Sequence, residues 1–221
     1  EQRDHVREIN RASAHLLKLI NSVLDLSRIE AGKVEVKAEE IDPSALLDEC
    51  LRLSWPLSVR HGIHMDFIPG KTPAIHADRT YAKQILLNLI SNATKYNRKG
   101  GDITLSATMT PGGAVRLLVS DTGPGIPAEQ MGTVFQPFNR AGREGSNIEG
   151  TGIGLTITRR IVEMMGGTVD VESEAGAGST FWVDLPLESA PASIEGRAHT
   201  AAAADVATPE QCDDADRHTV L

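Results

Sequence analysis

The sequence predicts an α+β fold, a two-layer α/β sandwich preceded by a long bundle helix. Three observations predict it. The first thirty or so residues carry one uninterrupted helical apolar stripe. Between residues 33 and 188, helical periods interleave with segments that alternate every second residue, which builds one helix layer on one largely antiparallel sheet. Aromatic residues make up only 4% of the chain, so the core between the layers rests on Leu, Ile, Val and Ala.

Residues 1–32 read as a single helix. Ile9, Ala12, Leu16, Leu19, Val23 and Leu26 recur three and four apart, the a/d spacing of packed helices. Leu17, Ile20 and Leu24 widen the stripe, which suits a bundle better than a two-stranded seam. Such a helix is roughly 45 Å long, a rod better paired with other helices than laid on its own small core. Ala31-Gly32 supplies the stop. Val34 to Ala38 alternates like a strand. Asp42-Pro43 gives an N-cap and a first-turn proline for a helix through Ala45, Leu46, Leu47 and Leu51. Ile63 to Ile68 alternates again, and Asp78 caps a helix whose apolar face holds Ile85, Leu86, Leu89 and Ile90. Ile103 to Met109 and Val115 to Val119 flank Pro111-Gly112-Gly113 as a hairpin. Ile153 to Met165 is predicted helical, and Val169-Asp170-Val171 and Phe181-Trp182-Val183 close the sheet. Residues 189–216, dominated by Ala, Pro, Thr, Glu and Asp, are expected to form a flexible linker.

Charge and cysteine usage exclude several classes. A net charge of -8 without a basic stripe argues against nucleic-acid binding. Cys50 and Cys212 lie far apart and read as free thiols in a reducing compartment, not as a disulfide or metal site. No apolar run reaches membrane-spanning length. The expectation is a cytoplasmic chain that makes no membrane contact of its own.

Three segments carry chemistry. In Asn88 to Tyr96, the residues Asn88, Asn92 and Lys95 fall at i, i+4 and i+7 and share one helix face. An amide carbonyl is a neutral hard-oxygen ligand for Mg²⁺, and Lys95 can donate to phosphate. Taken alone, the same row reads as a solvated polar face. In Asp121-Thr122-Gly123-Pro124-Gly125-Ile126-Pro127, an Asp at a strand end is followed by glycines. Such an Asp can accept a hydrogen bond from an adenine amino group while the backbone passes close to the ring; a tight turn with a capping Asp has the same composition. In Gly150-Thr151-Gly152-Ile153-Gly154-Leu155, glycines open a helix, so that backbone N–H groups and the helix dipole can face phosphates. No Gly-Lys-Ser/Thr follows, which excludes a P-loop, and Leu155 stands where a dinucleotide fingerprint needs its third glycine. The stretch from Asn139 to Glu149 reads as a lid over bound nucleotide.

In this order and spacing the three segments resemble the N box and the two glycine boxes of histidine kinase catalytic domains. Phe135-Gln136-Pro137-Phe138-Asn139-Arg140 is similar to the phenylalanine box, and Gly176-Ala177-Gly178-Ser179-Thr180-Phe181 to the closing strand motif. Leu24 to Gly32 resembles the end of the second helix of the dimerisation and phosphotransfer domain. The resemblance implies the Bergerat-type ATP fold shared with type II topoisomerases, a heat-shock chaperone and mismatch-repair ATPases. It implies ATP and Mg²⁺ as cofactors, with Asn92 on the metal and Asp121 on the adenine amino group. By the same resemblance Gly123, Gly125, Gly152 and Gly154 shape the pocket, and Asn88, Lys95, Tyr96, Arg140 and Thr180 line it. Ile126, Phe138, Gly150, Thr151, Ile153 and Leu155 stand in the same boxes and join the nucleotide-binding set, while Asn88, Asn92 and Lys95 form the catalytic one.

The implied activity is transfer of the γ-phosphate to a histidine of the phosphotransfer domain. The implied partners are a second copy bound through the bundle helix of the full-length protein, the phosphotransfer helix as substrate, and a response regulator receiver domain downstream. Thr219-Val220-Leu221 is similar to the opening strand of a receiver, so residues 217–221 are expected to begin one in a hybrid kinase.

The chain departs from the family in one respect. The phosphoacceptor of the family lies in a His-Glu-Leu-Arg-Thr-Pro-like box, with an adjacent acidic residue thought to assist its activation, and no such box occurs here. His5 and His15 are followed by Val6 and Leu16, while His61, His64 and His76 fall within the catalytic domain. Two rival readings remain at this level. A water-using ATPase of the same superfamily has a Glu general base where this chain has Asn88, and a neutral amide takes no proton from water near neutral pH. A non-catalytic dimerisation module has no need of intact nucleotide motifs. The chain alone is therefore predicted to take no histidine label from γ-labelled ATP, while a supplied bundle domain carrying the box is labelled in trans. Acid-labile label on the chain by itself would show that one of its own histidines is the acceptor.

Overall fold

The computed structural model describes residues 2–31, 35–139 and 151–187. Val34, Arg140, Gly150, Cys212, the lid stretch after Asn139, the linker 189–216 and the segment 217–221 lie outside the described residues.

The elements follow in chain order. Helix α1 (Gln2–Glu30) leads to strand β1 (Glu39–Ile41), helix α2 (Pro43–His61), strands β2 (His64–Ile68) and β3 (Ile75–Ala77), and helix α3 (Arg79–Tyr96). The hairpin β4 (Asp102–Met109) and β5 (Val115–Asp121) comes next. The short helix α4 (Ala128–Met131), helix α5 (Gly154–Met164) and strands β6 (Thr168–Glu174) and β7 (Gly178–Leu185) complete the order. The expected strand at Val34 to Ala38 is displaced: residues 35–38 are irregular and the strand is Glu39–Ile41, which pairs antiparallel with β3. The backbone N–H of Lys37 instead donates to the Asp78 carboxylate at 3.0 Å.

The main sheet has the order β2-β4-β5-β7-β6. All its pairs are antiparallel except β2 with β4, which run parallel because the chain crosses between them through β3 and α3. Alternation gives the sheet one apolar face. Ile103, Leu105, Val115, Leu117, Val119, Phe181, Val183 and Leu185 are buried on it. Leu46 and Leu47 of α2, Ile85, Leu86, Leu89 and Ile90 of α3, and Ile157, Ile161 and Val162 of α5 cover them. The opposite face carries Thr104, Ser106, Arg116, Ser120 and Thr180. There Arg116 makes a two-pronged pair with Asp184 at 2.7 and 2.8 Å and lies 4.6 Å over the ring of Trp182, a fork geometry that lysine does not offer.

Two caps set the helix starts. Asp42 accepts from Ser44 N–H at 2.9 Å. Asp78 accepts from Thr80 and Tyr81 N–H at 2.9 and 3.1 Å and is itself only 8% exposed. Across the α2/α3 interface, Glu49 accepts from Arg79 at 2.6 Å and Lys83 at 3.1 Å. These bonds, Lys83 first and then Arg79, hold its carboxyl below the usual carboxylate range. Its neighbour Cys50 is fully buried, and burial pushes its thiol up to about 12. Along α1, Val6, Ile9, Leu16, Leu17, Ile20, Val23 and Leu24 are exposed, whereas Ile29 at its end joins the domain core.

Asp78 both caps α3 and fixes the chain before β1, so its removal leaves three backbone donors unpaired. Asp78→Ala is expected to lower the unfolding free energy by about 1–2 kcal/mol or somewhat more. Urea denaturation checks this, and an unchanged midpoint would deny the cap its role.

Candidate nucleotide-binding site

Helix α3 places the first segment. Its buried stripe of Ile85, Leu86, Leu89, Ile90 and Ala93 faces the sheet. Asn88, Asn92 and Lys95 follow on the flank, each half-buried. They stand on a common row, as the spacing predicts, between core and solvent. Asn88 is fixed in detail. Its amide nitrogen donates to Thr158 Oγ1 of α5 at 2.9 Å. Its carbonyl oxygen packs against Gly154, where an added Cβ would lie 2.7 Å away. The first helix of the site and the glycine turn that opens α5 therefore meet at one side chain. Thr158, which is 1% exposed, is part of that junction and was invisible in the motifs. A threonine in an apolar helix stripe was its only signal.

The second segment begins where β5 ends. Asp121 is half-buried, and its carboxylate accepts the Gly123 N–H at 2.8 Å. Gly123 is buried against the end of α3, with the Tyr96 carbonyl oxygen 3.0 Å from where its Cβ would stand. Gly125 has φ 69° and presses on the Glu174 carbonyl, so that a side chain would collide there. Left-handed backbone and this close approach both require glycine. Ile126 is half-buried, and its N–H donates to Ser173 Oγ at 2.8 Å.

The third segment joins the phenylalanine segment. Gly152 has φ 71°, and its Cβ would lie 2.8 Å from the Phe138 backbone. Thr151 Oγ1 accepts from Ile153 N–H at 3.3 Å, Ile153 is fully buried, and Leu155 is half-buried. Thr156 Oγ1 donates to the Phe135 carbonyl at 3.0 Å, and the Arg159 guanidinium lies 4.2 Å over the Phe135 ring. Phe138, by contrast, is 66% exposed and has φ 62°, a left-handed backbone rare for an aromatic residue.

Thr180 departs from the expected set. Cross-strand register pairs Asp121 with Ser179 and Ser120 with Thr180. Thr180 Oγ1 bonds Ser120 Oγ at 3.0 Å on the polar face of the sheet, opposite the helices. Ser179, buried, is the residue beside Asp121. Strand parity could have found it: Phe181, Val183 and Leu185 point inward, so Ser179 does too.

A sheet covered on one face by helices, with an amide-bearing helix and a glycine turn joined at its edge, defines a two-layer ATPase-type sandwich. The chain belongs to the histidine kinase-, DNA gyrase B- and HSP90-like ATPase family, whose match covers residues 77–189. Its relatives are histidine kinases. It is 36% identical over 189 residues to histidine protein kinase DivJ of Caulobacter vibrioides, covering 85% of this chain and 32% of that protein. It is 35% identical over 197 residues to the hybrid signal transduction protein dokA of Dictyostelium discoideum, covering 84% of this chain and 12% of that one. Among solved structures, full-length ShkA in complex with AMPPNP matches with a TM-score of 0.73 at 34% identity, over 86% of this chain and 40% of that chain. The chain thus spans a third or less of these two relatives. Among the described residues, no helix is long and apolar enough to cross a membrane.

Gly125→Ala forces a side chain into left-handed backbone and against Glu174. It is expected to cost about 1–3 kcal/mol of stability, read by chemical denaturation. A wild-type midpoint would show that this turn does not hold that conformation.

Proposed function

We propose that this chain is the ATP-binding catalytic part of a sensor histidine kinase, which moves the γ-phosphate of ATP to a histidine on a phosphotransfer helix. The observation that carries the reading is the junction of Asn88 with Gly154 and Thr158. It joins the polar row of α3 to the glycine turn of α5, the two elements whose chemistry suits a polyphosphate. The residues fit Mg·ATP: amide oxygens and an ammonium on a half-buried row, a carboxylate at a strand end, and two glycine turns with close backbone approaches. Asn92 would hold the metal with Asn88 beside it, Lys95 would meet phosphate, and Asp121 would accept from the adenine amino group. Gly123, Gly125, Gly152 and Gly154 leave room for the nucleotide against the backbone. Tyr96, Ile126, Ile153 and Leu155 would bound the site, Phe138 and Thr151 would meet it from the lid side, and the family resemblance adds Arg140 and Gly150 to the set. Thr180 drops out of the reading because it faces the other side of the sheet.

Bound Mg²⁺ supplies charge neutralisation to the phosphates. The rest of the work is positioning. Asn88 is a neutral amide whose nitrogen is already committed to Thr158, so it offers no base for water. This favours transfer to a protein acceptor over steady hydrolysis. The exposed apolar residues of α1 support a dimer through that helix in the whole protein. The family supports the reading of a cytoplasmic kinase that acts on a receiver domain, carried by the same parent or separate. The hybrid relative supports the former.

Asp121→Ala is expected to weaken Mg·ATP binding at least tenfold, as loss of a hydrogen bond to a charged acceptor implies, and Asn92→Ala to weaken its metal dependence. Titration calorimetry with and without Mg²⁺ measures both. Unchanged binding in both variants would remove the site from these residues.

A further inference from the structure

We infer that Ser173 is a positioning residue for adenine recognition, acting through the loop from Asp121 to Ile126. The inference rests on the reading of Asp121 as the adenine acceptor.

Ser173 lies at the end of β6, outside every motif of the site, half-buried. Its hydroxyl uses its full bonding capacity. It accepts the Ile126 N–H at 2.8 Å and donates to the Gly178 carbonyl oxygen at 2.8 Å. It also lies 2.9 Å from Ser179 Oγ. An amide nitrogen can only donate and a carbonyl oxygen only accept, so the Ser173 proton goes to Gly178 and Ser179 donates to Ser173. One hydroxyl thus joins three pieces of chain: the loop after β5, the end of β6 and the start of β7.

The same hairpin grips the loop at further points. Gly176 N–H donates to the Pro124 carbonyl at 2.8 Å. Gly125 rests on the Glu174 carbonyl, and Gly178 rests on the Asp121 carbonyl so closely that neither tolerates a Cβ. At its other side the loop is wedged against Tyr96 through Gly123, whose N–H holds the Asp121 carboxylate. The carboxylate direction therefore depends on a loop clasped between α3 and the β6–β7 hairpin. Substituting Ser173 removes the Ile126 bond together with those to Gly178 and Ser179, and leaves Asp121 and its bond to Gly123 in place. Without the Ile126 bond the loop keeps its strand-end root, while the Asp121 carboxylate loses its fixed bearing toward an exocyclic amino group.

The test compares ATP with purine riboside 5′-triphosphate, which lacks that amino group, by calorimetric titration of the full 221-residue chain with Mg²⁺. The wild type is expected to prefer ATP, and Asp121→Ala, which removes the acceptor, to abolish the preference. Ser173→Ala is expected to shrink the preference by about threefold or more, a share of what one recognition hydrogen bond supplies. Ser173→Cys, close in shape but a poor acceptor, is expected to act likewise, and Ser173→Thr, which keeps the hydroxyl, to restore the preference. If Ser173→Ala and Ser173→Cys lower thermal stability or weaken both nucleotides equally while the ratio stays at the wild-type value, Ser173 is merely structural and the inference falls. If Asp121→Ala keeps the preference, the reading of Asp121 fails and takes the inference with it.

Discussion

Helix α3 can bury one stripe, and that limit arranges the rest of the molecule. Ile85, Leu86, Leu89, Ile90 and Ala93 take the buried side against the sheet. At 3.6 residues per turn, Asn88, Asn92 and Lys95 must then fall on the flank. That flank meets α5, and close approach there is possible because Gly154 has no side chain where Asn88 packs. The end of the same helix, at Tyr96, receives Gly123 of the loop after β5. One helix seated by apolar packing thus positions both glycine segments, and Asp78 and Glu49 keep it in register with β1 and α2.

Where local chemistry decided the structure, the sequence was readable. Asp42 and Asp78 cap the helices they precede, and Pro111-Gly112-Gly113 turns a hairpin. The polar row on α3 follows directly from its spacing. Long-range pairing was less legible. The alternation of residues 34–38 resembles a strand, yet pairing is taken by Glu39–Ile41, because the partner Ile75–Ala77 is too short to announce itself by pattern. Nothing local marks β2 as parallel to β4. Thr180 enters through the family resemblance alone, whereas the apolar alternation at Phe181, Val183 and Leu185 puts Ser179 on the inward face. Ser173 carried no signal and Thr158 only that of a threonine in an apolar stripe, since a single hydroxyl matters only once its partners from distant segments arrive.

The two glycine turns are built differently. The first is held along its length, by Gly123 on α3 and by Gly125 and Ile126 on the hairpin. The second is held at its base: Gly152 lies on the Phe138 backbone, and Thr156 and Arg159 fasten Phe135 to α5. Phe138 and Gly152 are therefore neighbours in space although thirteen residues, 139–151, separate them in sequence. That contact brings the two ends of the loop together, so its closure cost is met by the packing of Gly152 on Phe138.

The sealed thiol of Cys50 has a practical consequence. A group ionising only near pH 12 stays unreactive toward maleimides under native conditions, because the thiolate is the nucleophile. Substituting Cys212 would leave the folded domain chemically silent to such reagents. A cysteine then placed at exposed Met109 or Trp55 becomes a unique attachment point for a fluorophore or spin label. A second cysteine at an exposed position of α1, such as Leu16, would then make the distance between that helix and the catalytic domain measurable in solution without disturbing the core.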